Sequence, residues 1–174
     1  PKFTDAYLLG AKLQGLPEGD RDDAIKRVNQ AIKLLADDKK QGSAALVLRA
    51  RLQSNQEDPL ADLAKAIELD PGNTEAWQTR AALRIVKGEW DQAVKDFEQL
   101  VKNEPDNVAA RQALAETLLN LEKYDLALEQ IEKAIELAPD AAVNYTLRAR
   151  IHESQGKVDE ALADLGEALR VDPS

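Results

Sequence analysis

The sequence predicts an all-α fold of about five helical hairpins, and three observations carry that prediction. Pro71, Pro105, Pro139 and Pro173 stand at one constant spacing, each 34 positions after the last, and self-similarity at a fixed period of that size marks a repeat array. Each such block holds two stretches with apolar residues at helical spacing, such as Ala127, Leu128, Ile131, Ala134, Ile135 and Leu137. Aromatic residues make up 4% of the chain against 44% hydrophobic residues. The core is therefore built mainly from Ala, Leu, Ile and Val, which suits closely packed helices better than a sheet sandwich.

Taken in order, the first hairpin opens with "TDAYLLGAKLQG", where Gly10 stands at a small contact position, and closes with "DDAIKRVNQAIKLLADD" at 22 to 38. In the second, "LRARL" at 48 to 52 belongs to the first helix and "DPLADLAKAIELDP" at 58 to 71 to the second. Asp58 is placed to cap that second helix, with Pro59 at its first helical position. The third, fourth and fifth hairpins begin at Thr74, Val108 and Ala142. Gly88 and Gly156 occupy the turn of the third and fifth, where a left-handed residue ending a helix is cheapest for glycine. Glu122 stands in the corresponding place in the fourth. Asn73, Asn107 and Asp140 are the expected caps of the helices that follow the prolines. The units run approximately over 3–39, 40–73, 74–107, 108–141 and 142–174 and are read as one domain.

These blocks resemble the tetratricopeptide repeat family, whose unit is a helical hairpin of about 34 residues. Trp77, Ala81, Trp90, Ala93, Phe97 and Pro105 match the family pattern in the third block, as do Tyr145, Ala149, Gly156, Ala161, Ala168 and Pro173 in the fifth. The fourth departs at Arg111, in an aromatic position, and at Glu122, while its Ala115, Tyr124, Ala127, Ala134 and Pro139 conform. The resemblance implies an α-α superhelix, a right-handed solenoid whose inner groove is lined by the first helices. "ADL" at 61 to 63 and 163 to 165 is similar to bacterial chains of the family.

"LRARL" nearly recurs as "LRARI" at 147 to 151, three positions short of three periods. Arg80 and Arg148 each precede an aspartate, Asp96 and Asp164, by sixteen positions, with the turn glycine at the midpoint; Arg49 and Asp62 are thirteen apart, as a turn shortened by three would require. Residues equidistant from the turn of an antiparallel hairpin share a height. Three structural ion pairs follow, Arg49 with Asp62, Arg80 with Asp96 and Arg148 with Asp164, and they fix register more than they stabilise. The fourth unit loses both members together, carrying Leu114 and Gln130.

The inventory for catalysis is thin. Cysteine is absent and His152 is the only histidine, so no zinc site and no activated nucleophile is expected; His152 is read as a packing residue. "EGDRDD" at 18 to 23 lacks the spacing of a calcium loop, and its acids favour a helix N-terminus. No cofactor is expected, and the chain is read as no enzyme. A net charge of −9 and a pI near 4.7 argue against nucleic acid, which needs a basic face. No run of about 18 apolar residues is available to span a membrane.

The resemblance therefore points to a scaffold that binds a protein or peptide in its groove. The mapped lining is Val47, Leu48, Arg51, Gln78, Thr79, Ala82, Gln112, Ala113, Glu116, Asn120, Thr146, Leu147 and Arg150. Amides at Gln78, Gln112 and Asn120 both donate and accept toward a peptide backbone, and Arg51 and Arg150 are expected to hold acidic groups at the ends. The carboxylate clamp of chaperone-binding relatives is missing, since its positions carry Val47, Gln78, Ala82, Gln112, Ala113 and Glu116. Two alternatives stand beside this reading: a regulatory or positioning region of a larger enzyme, and self-association through Leu162, Leu165 and Leu169, which no following hairpin would cover. The start at Pro1 and the stop at "RVDPS" suggest an excised or processed piece, soluble in cytoplasm or periplasm.

Overall fold

A computed structural model of the chain describes residues 7, 20–35, 37–52 and 58–173. Gly10, Glu18 and the expected turn around Asn55 and Gln56 lie outside these. The described residues form an all-α fold with the helices α1 Arg21–Leu34, α2 Lys39–Leu52, α3 Pro59–Leu69, α4 Thr74–Val86, α5 Trp90–Asn103, α6 Val108–Asn120, α7 Tyr124–Leu137, α8 Ala142–Ser154 and α9 Val158–Val171. None of them is long and apolar enough to cross a membrane. The chain divides into two compact units, Pro1–Leu83 and Arg84–Ser174.

In the first unit α1 packs on α2 and α2 on α3. Asp20 starts α1 by accepting the Asp22 and Asp23 N–H groups at 2.9 and 3.2 Å, which gives Asp20 a capping role, with Asp22 and Asp23 in the first turn of the helix. Asp58 caps α3 through the Leu60 N–H at 3.1 Å, with Pro59 next. Leu46, Val47, Ala50, Leu63, Ala66, Ile67 and Ala76 form one core cluster. Val47 is 1% exposed and packs in this core, not in a groove, although Arg51, one turn further along nearly the same face of α2, is exposed. A buried polar chain joins α2 to the following linker. The Ser43 hydroxyl donates to the Ala66 carbonyl at 2.8 Å and accepts from Asn73 Nδ2 at 2.8 Å, while Asn73 Oδ1 accepts the Ala76 N–H at 3.2 Å.

In the second unit each helix packs on the next, from α6 through α9, and α5 packs on α6. Alanines make this close approach possible: Ala93, Ala127 and Ala161 recur once per period on the second helices and are all buried, as are Ala115 and Ala149 on the first. The turns inside the hairpins share one geometry. Gly88, Glu122 and Gly156 take φ of 78°, 57° and 76°, and the next residue's N–H, of Glu89, Lys123 or Lys157, reaches the carbonyl of Arg84, Leu118 or His152 at 2.8 to 2.9 Å. This is the Schellman ending of a helix. Glu122 adopts it despite its side chain, so the fourth block keeps the turn without the glycine.

Linkers between hairpins are closed by a second device. Trp77 Nε1, Arg111 Nε and the Tyr145 hydroxyl donate to the carbonyls of Pro71, Pro105 and Pro139 at 2.8, 2.9 and 2.9 Å. Arg111 thus keeps the hydrogen bond of the aromatic it replaces. Asn107 caps α6 through the Ala110 N–H at 2.9 Å. Asp140 does not cap α8, because the N-cap position falls one residue later, on Ala141, which has no side-chain acceptor.

A non-glycine residue in the left-handed region costs about 1 kcal/mol or more relative to glycine. Glu122→Gly is therefore expected to raise the unfolding free energy by about 1 kcal/mol, measured by urea denaturation; a loss of stability would show that the Glu122 side chain is held by something the turn itself does not supply.

Candidate functional site

Two of the expected ion pairs are drawn together inside hairpins. Arg49 Nε donates to Asp62 Oδ2 at 2.6 Å, and Arg49 Nη1 to Asn29 Oδ1 at 2.7 Å. Arg148 Nε donates to both Asp164 oxygens at 2.9 and 3.0 Å, and hydrogen bonding to Asp164 raises the Arg148 pKa above its ordinary value against the opposing effect of burial. Asp62 and Asp164 are buried. Arg80 belongs to the first unit and Asp96 to the second. Arg80 lies over the Trp77 ring at 4.9 Å, a cation–π contact that Arg148 repeats over Tyr145 at 5.8 Å.

Asp96 has a partner that the sequence reading missed. Arg84 Nη1 lies 2.7 Å from Asp96 Oδ2. Two periods on from Arg84 stands His152, whose Nε2 lies 3.7 Å from Asp164 Oδ2. In the fourth block the matching residue is Leu118, beside Leu114 and Gln130. Gln130 instead accepts from Arg111 Nη1 at 3.0 Å. Basic side chains and acid are thus present as a set or replaced as a set, and two basic residue types one double period apart were the available signal.

A second omission is Asn144. Its position, one period after Ala110 and two after Ala76, is an alanine column, yet Asn144 is fully buried. All its hydrogen-bonding capacity is directed inward. Nδ2 donates to the Ala134 and Ala138 carbonyls, both at 3.1 Å, closing the end of α7, while Oδ1 accepts from Gln112 Nε2 at 2.6 Å. Asn144 therefore holds one of the nominated groove residues in place.

Between α6 and α8 lies an open hollow of about 320 Å³ lined by Ala109, Gln112, Ala113, Glu116, Val143, Thr146, Leu147 and Arg150. Ala109, Ala113, Val143 and Leu147 give it an apolar floor. Glu116 and Arg150 meet across one end at 3.0 Å, each about half exposed. Asn120 sits one turn beyond Glu116, its Nδ2 donating to the Glu116 carbonyl at 2.8 Å. Arg51, Gln78 and Thr79 lie in the first unit, on α2 and α4, where Arg51 Nη1 donates to Glu75 Oε1 at 2.6 Å. Both arginines nominated to hold acidic groups thus carry a carboxylate already. Among the described residues no three His, Asp or Glu side chains gather where a metal ion could sit.

The Arg148 set supplies a stability test. Asp164→Asn is expected to cost about 3 kcal/mol, since it leaves a half-buried guanidinium without its carboxylate. Asp164→Gln combined with Arg148→Leu and His152→Leu reproduces the combination of the fourth block and should recover most of that loss in denaturant unfolding. A triple variant no more stable than the single one would rule out the register role.

Comparison with known proteins agrees with this architecture. Tetratricopeptide repeat models match residues 44–107, 79–142 and 142–174. No curated protein matches the sequence. Among solved structures, the chain resembles a crystal structure of MamA protein with a TM-score of 0.82 at 21% identity, covering 99% of this chain and 93% of that one. It also resembles MamA AMB-1, with a TM-score of 0.77 at 20% identity over 99% and 91%, and MamA 41-end from Desulfovibrio magneticus RS-1, with a TM-score of 0.76 at 16% identity over 99% and 97%. At such identities the likeness is one of fold. The repeat models together span residues 44 to 174, and the chain belongs to the tetratricopeptide repeat family.

Proposed function

We propose that this chain is a non-catalytic scaffold that holds an extended protein or peptide segment against the first helices of its hairpins. The observation that supports this reading is the hollow between α6 and α8, with an apolar floor, a fixed amide at Gln112 and a charged pair at one end. An apolar side chain can enter it while the flanking backbone finds hydrogen-bonding partners on the rim. In the first unit, Arg51, Gln78 and Thr79 are proposed as a surface of the same kind.

Selection of peptides from a random displayed library tests the reading. Selected sequences should perturb the amide resonances of Ala109, Ala113 and Thr146, and Ala113→Trp, which fills the hollow from a half-exposed position, should weaken them about tenfold, equivalent to about 1.4 kcal/mol. Peptides that bind this variant unchanged would move the site elsewhere.

A second reading, association of two copies through α9, is favoured by Leu162, Leu165 and Leu169, which are 61%, 43% and 66% exposed. Their counterparts one period earlier, Leu128, Ile131 and Ile135, lie on α7, against which α8 packs. Light scattering over a concentration series should then show dimers that Leu162→Glu with Leu169→Glu abolishes; a chain monomeric throughout removes this reading.

A further inference from the structure

We infer that the hollow between α6 and α8 selects a segment that carries an aliphatic side chain and a lysine or arginine three residues apart, and that Glu116 receives the cation. The inference rests on the groove reading above and adds to it the chemistry of the occupant.

Hydrogen-bonding direction supplies the first argument. Along α6 and α8 the hydroxyl donors and one asparagine N–H near the hollow are turned back on their own helices. The Thr146 hydroxyl donates to the Ala142 carbonyl at 3.1 Å, the Ser154 hydroxyl to the Arg150 carbonyl at 2.9 Å and Asn120 Nδ2 to the Glu116 carbonyl at 2.8 Å. Gln112 spends an N–H on Asn144. Apart from the Arg150 guanidinium and one N–H each of Gln112 and Asn120, what remains is made of acceptors: the Gln112 and Asn120 carbonyl oxygens, hydroxyl lone pairs and the Glu116 carboxylate. Such a surface is satisfied by a ligand that brings donors.

Charge is the second argument. Residues 84–174 contain 11 basic and 19 acidic side chains, so −8 of the chain's −9 lies in the second unit. A field of that sign raises the local concentration of cations and repels acidic segments. Arg150 is the only cation among the lining residues. Its pair with Glu116 leaves the side chains 51% and 53% exposed, and pairs so exposed shift an equilibrium by about fivefold at most. An incoming ammonium or guanidinium can displace Arg150 toward water at little cost.

Spacing is the third. Ala109 and Val143 form the apolar end, and Glu116 stands seven positions beyond Ala109 on α6, a rise of about 10.5 Å at about 1.5 Å per residue. An extended segment advances about 3.3 Å per residue, so about three residues bridge the floor and the carboxylate.

The test uses the full chain and short fluorescent Gly/Ser peptides that carry Leu and Lys three positions apart, in either order, against versions with Glu in place of Lys. Leu–Lys peptides should bind about fivefold tighter than Leu–Glu peptides at low salt, the size expected for one exposed charge pair, and should shift the amides of Ala113 and Thr146. Glu116→Gln should erase the preference. Arg150→Gln should strengthen Leu–Lys binding, because it removes the competitor, and leave Leu–Glu binding no weaker; a marked loss of Leu–Glu binding would show that Arg150 holds acids and would overturn the inference. Equal affinities, or a preference for Leu–Glu, with shifts still in the hollow would overturn the cation inference and leave the groove reading standing. Shifts located elsewhere, or no binding by any peptide, would overturn both.

Discussion

The hydrogen bond from the fourth residue of each of α4, α6 and α8 to the proline carbonyl six residues earlier fixes where each of these hairpins begins. Trp77, Arg111 and the Tyr145 hydroxyl make the same bond with three different donors. A proline ends the preceding segment because its ring cannot continue a helix, and its carbonyl then has no helical partner of its own. Satisfying that carbonyl ties the linker to the incoming helix. Once this start recurs at a constant period, the alanines at 93, 127 and 161 fall at the same level of successive second helices, and the helices can approach closely with few voids.

This requirement explains which parts of the fold were legible in the sequence. Period, the helices of the described residues and most caps follow from residue types that have few alternatives: proline after a helix, asparagine at an N-cap, glycine in a left-handed turn. The arginine and aspartate pairs at 49 and 62 and at 148 and 164 were legible because antiparallel geometry converts equal distance from the turn into equal height. Other features depend on bonds that several side chains can make. Arg111 looked like a broken aromatic position because the donor, and not the ring, is what the linker needs. Glu122 looked like a lost turn because sequence shows the cost of a left-handed side chain but not whether the chain bears it. Asn144 could not be read as a cap, since its acceptors on and beside α7 lie ten and six positions back and become neighbours only when α8 packs.

The candidate site was legible to a similar degree and for a related reason. Gln112, Glu116, Thr146 and Arg150 were assigned to one face by helical spacing, and all four line the hollow. Val47 was assigned by the same rule and lies in the core, because helical phase gives an angle but not which flank the next hairpin covers. Spacing also gave no account of direction. That Thr146, Asn120 and Ser154 turn their donors inward is a consequence of helix geometry, in which a short polar side chain reaches the carbonyl four residues back. An acceptor-rich rim therefore arises from polar residues that composition alone would describe as neutral.

The two arginines of "RAR" at 148 to 150 separate structure from recognition. Arg148 grips an aspartate that is almost fully buried, and removing the arginine strands that carboxylate out of water at a cost of about 3 to 5 kcal/mol. Arg150 meets Glu116 where water screens both, and breaking that contact costs about 1 kcal/mol or less. Each pair joins a guanidinium to a carboxylate, so burial sets the difference. A ligand has a few kcal/mol at its disposal at a shallow site, enough to exchange the second pair and too little to open the first. On the proposed groove reading, recognition falls to the exposed pair, and within it to the carboxylate, since an acidic unit gains more from an arriving cation than from a second anion beside Glu116.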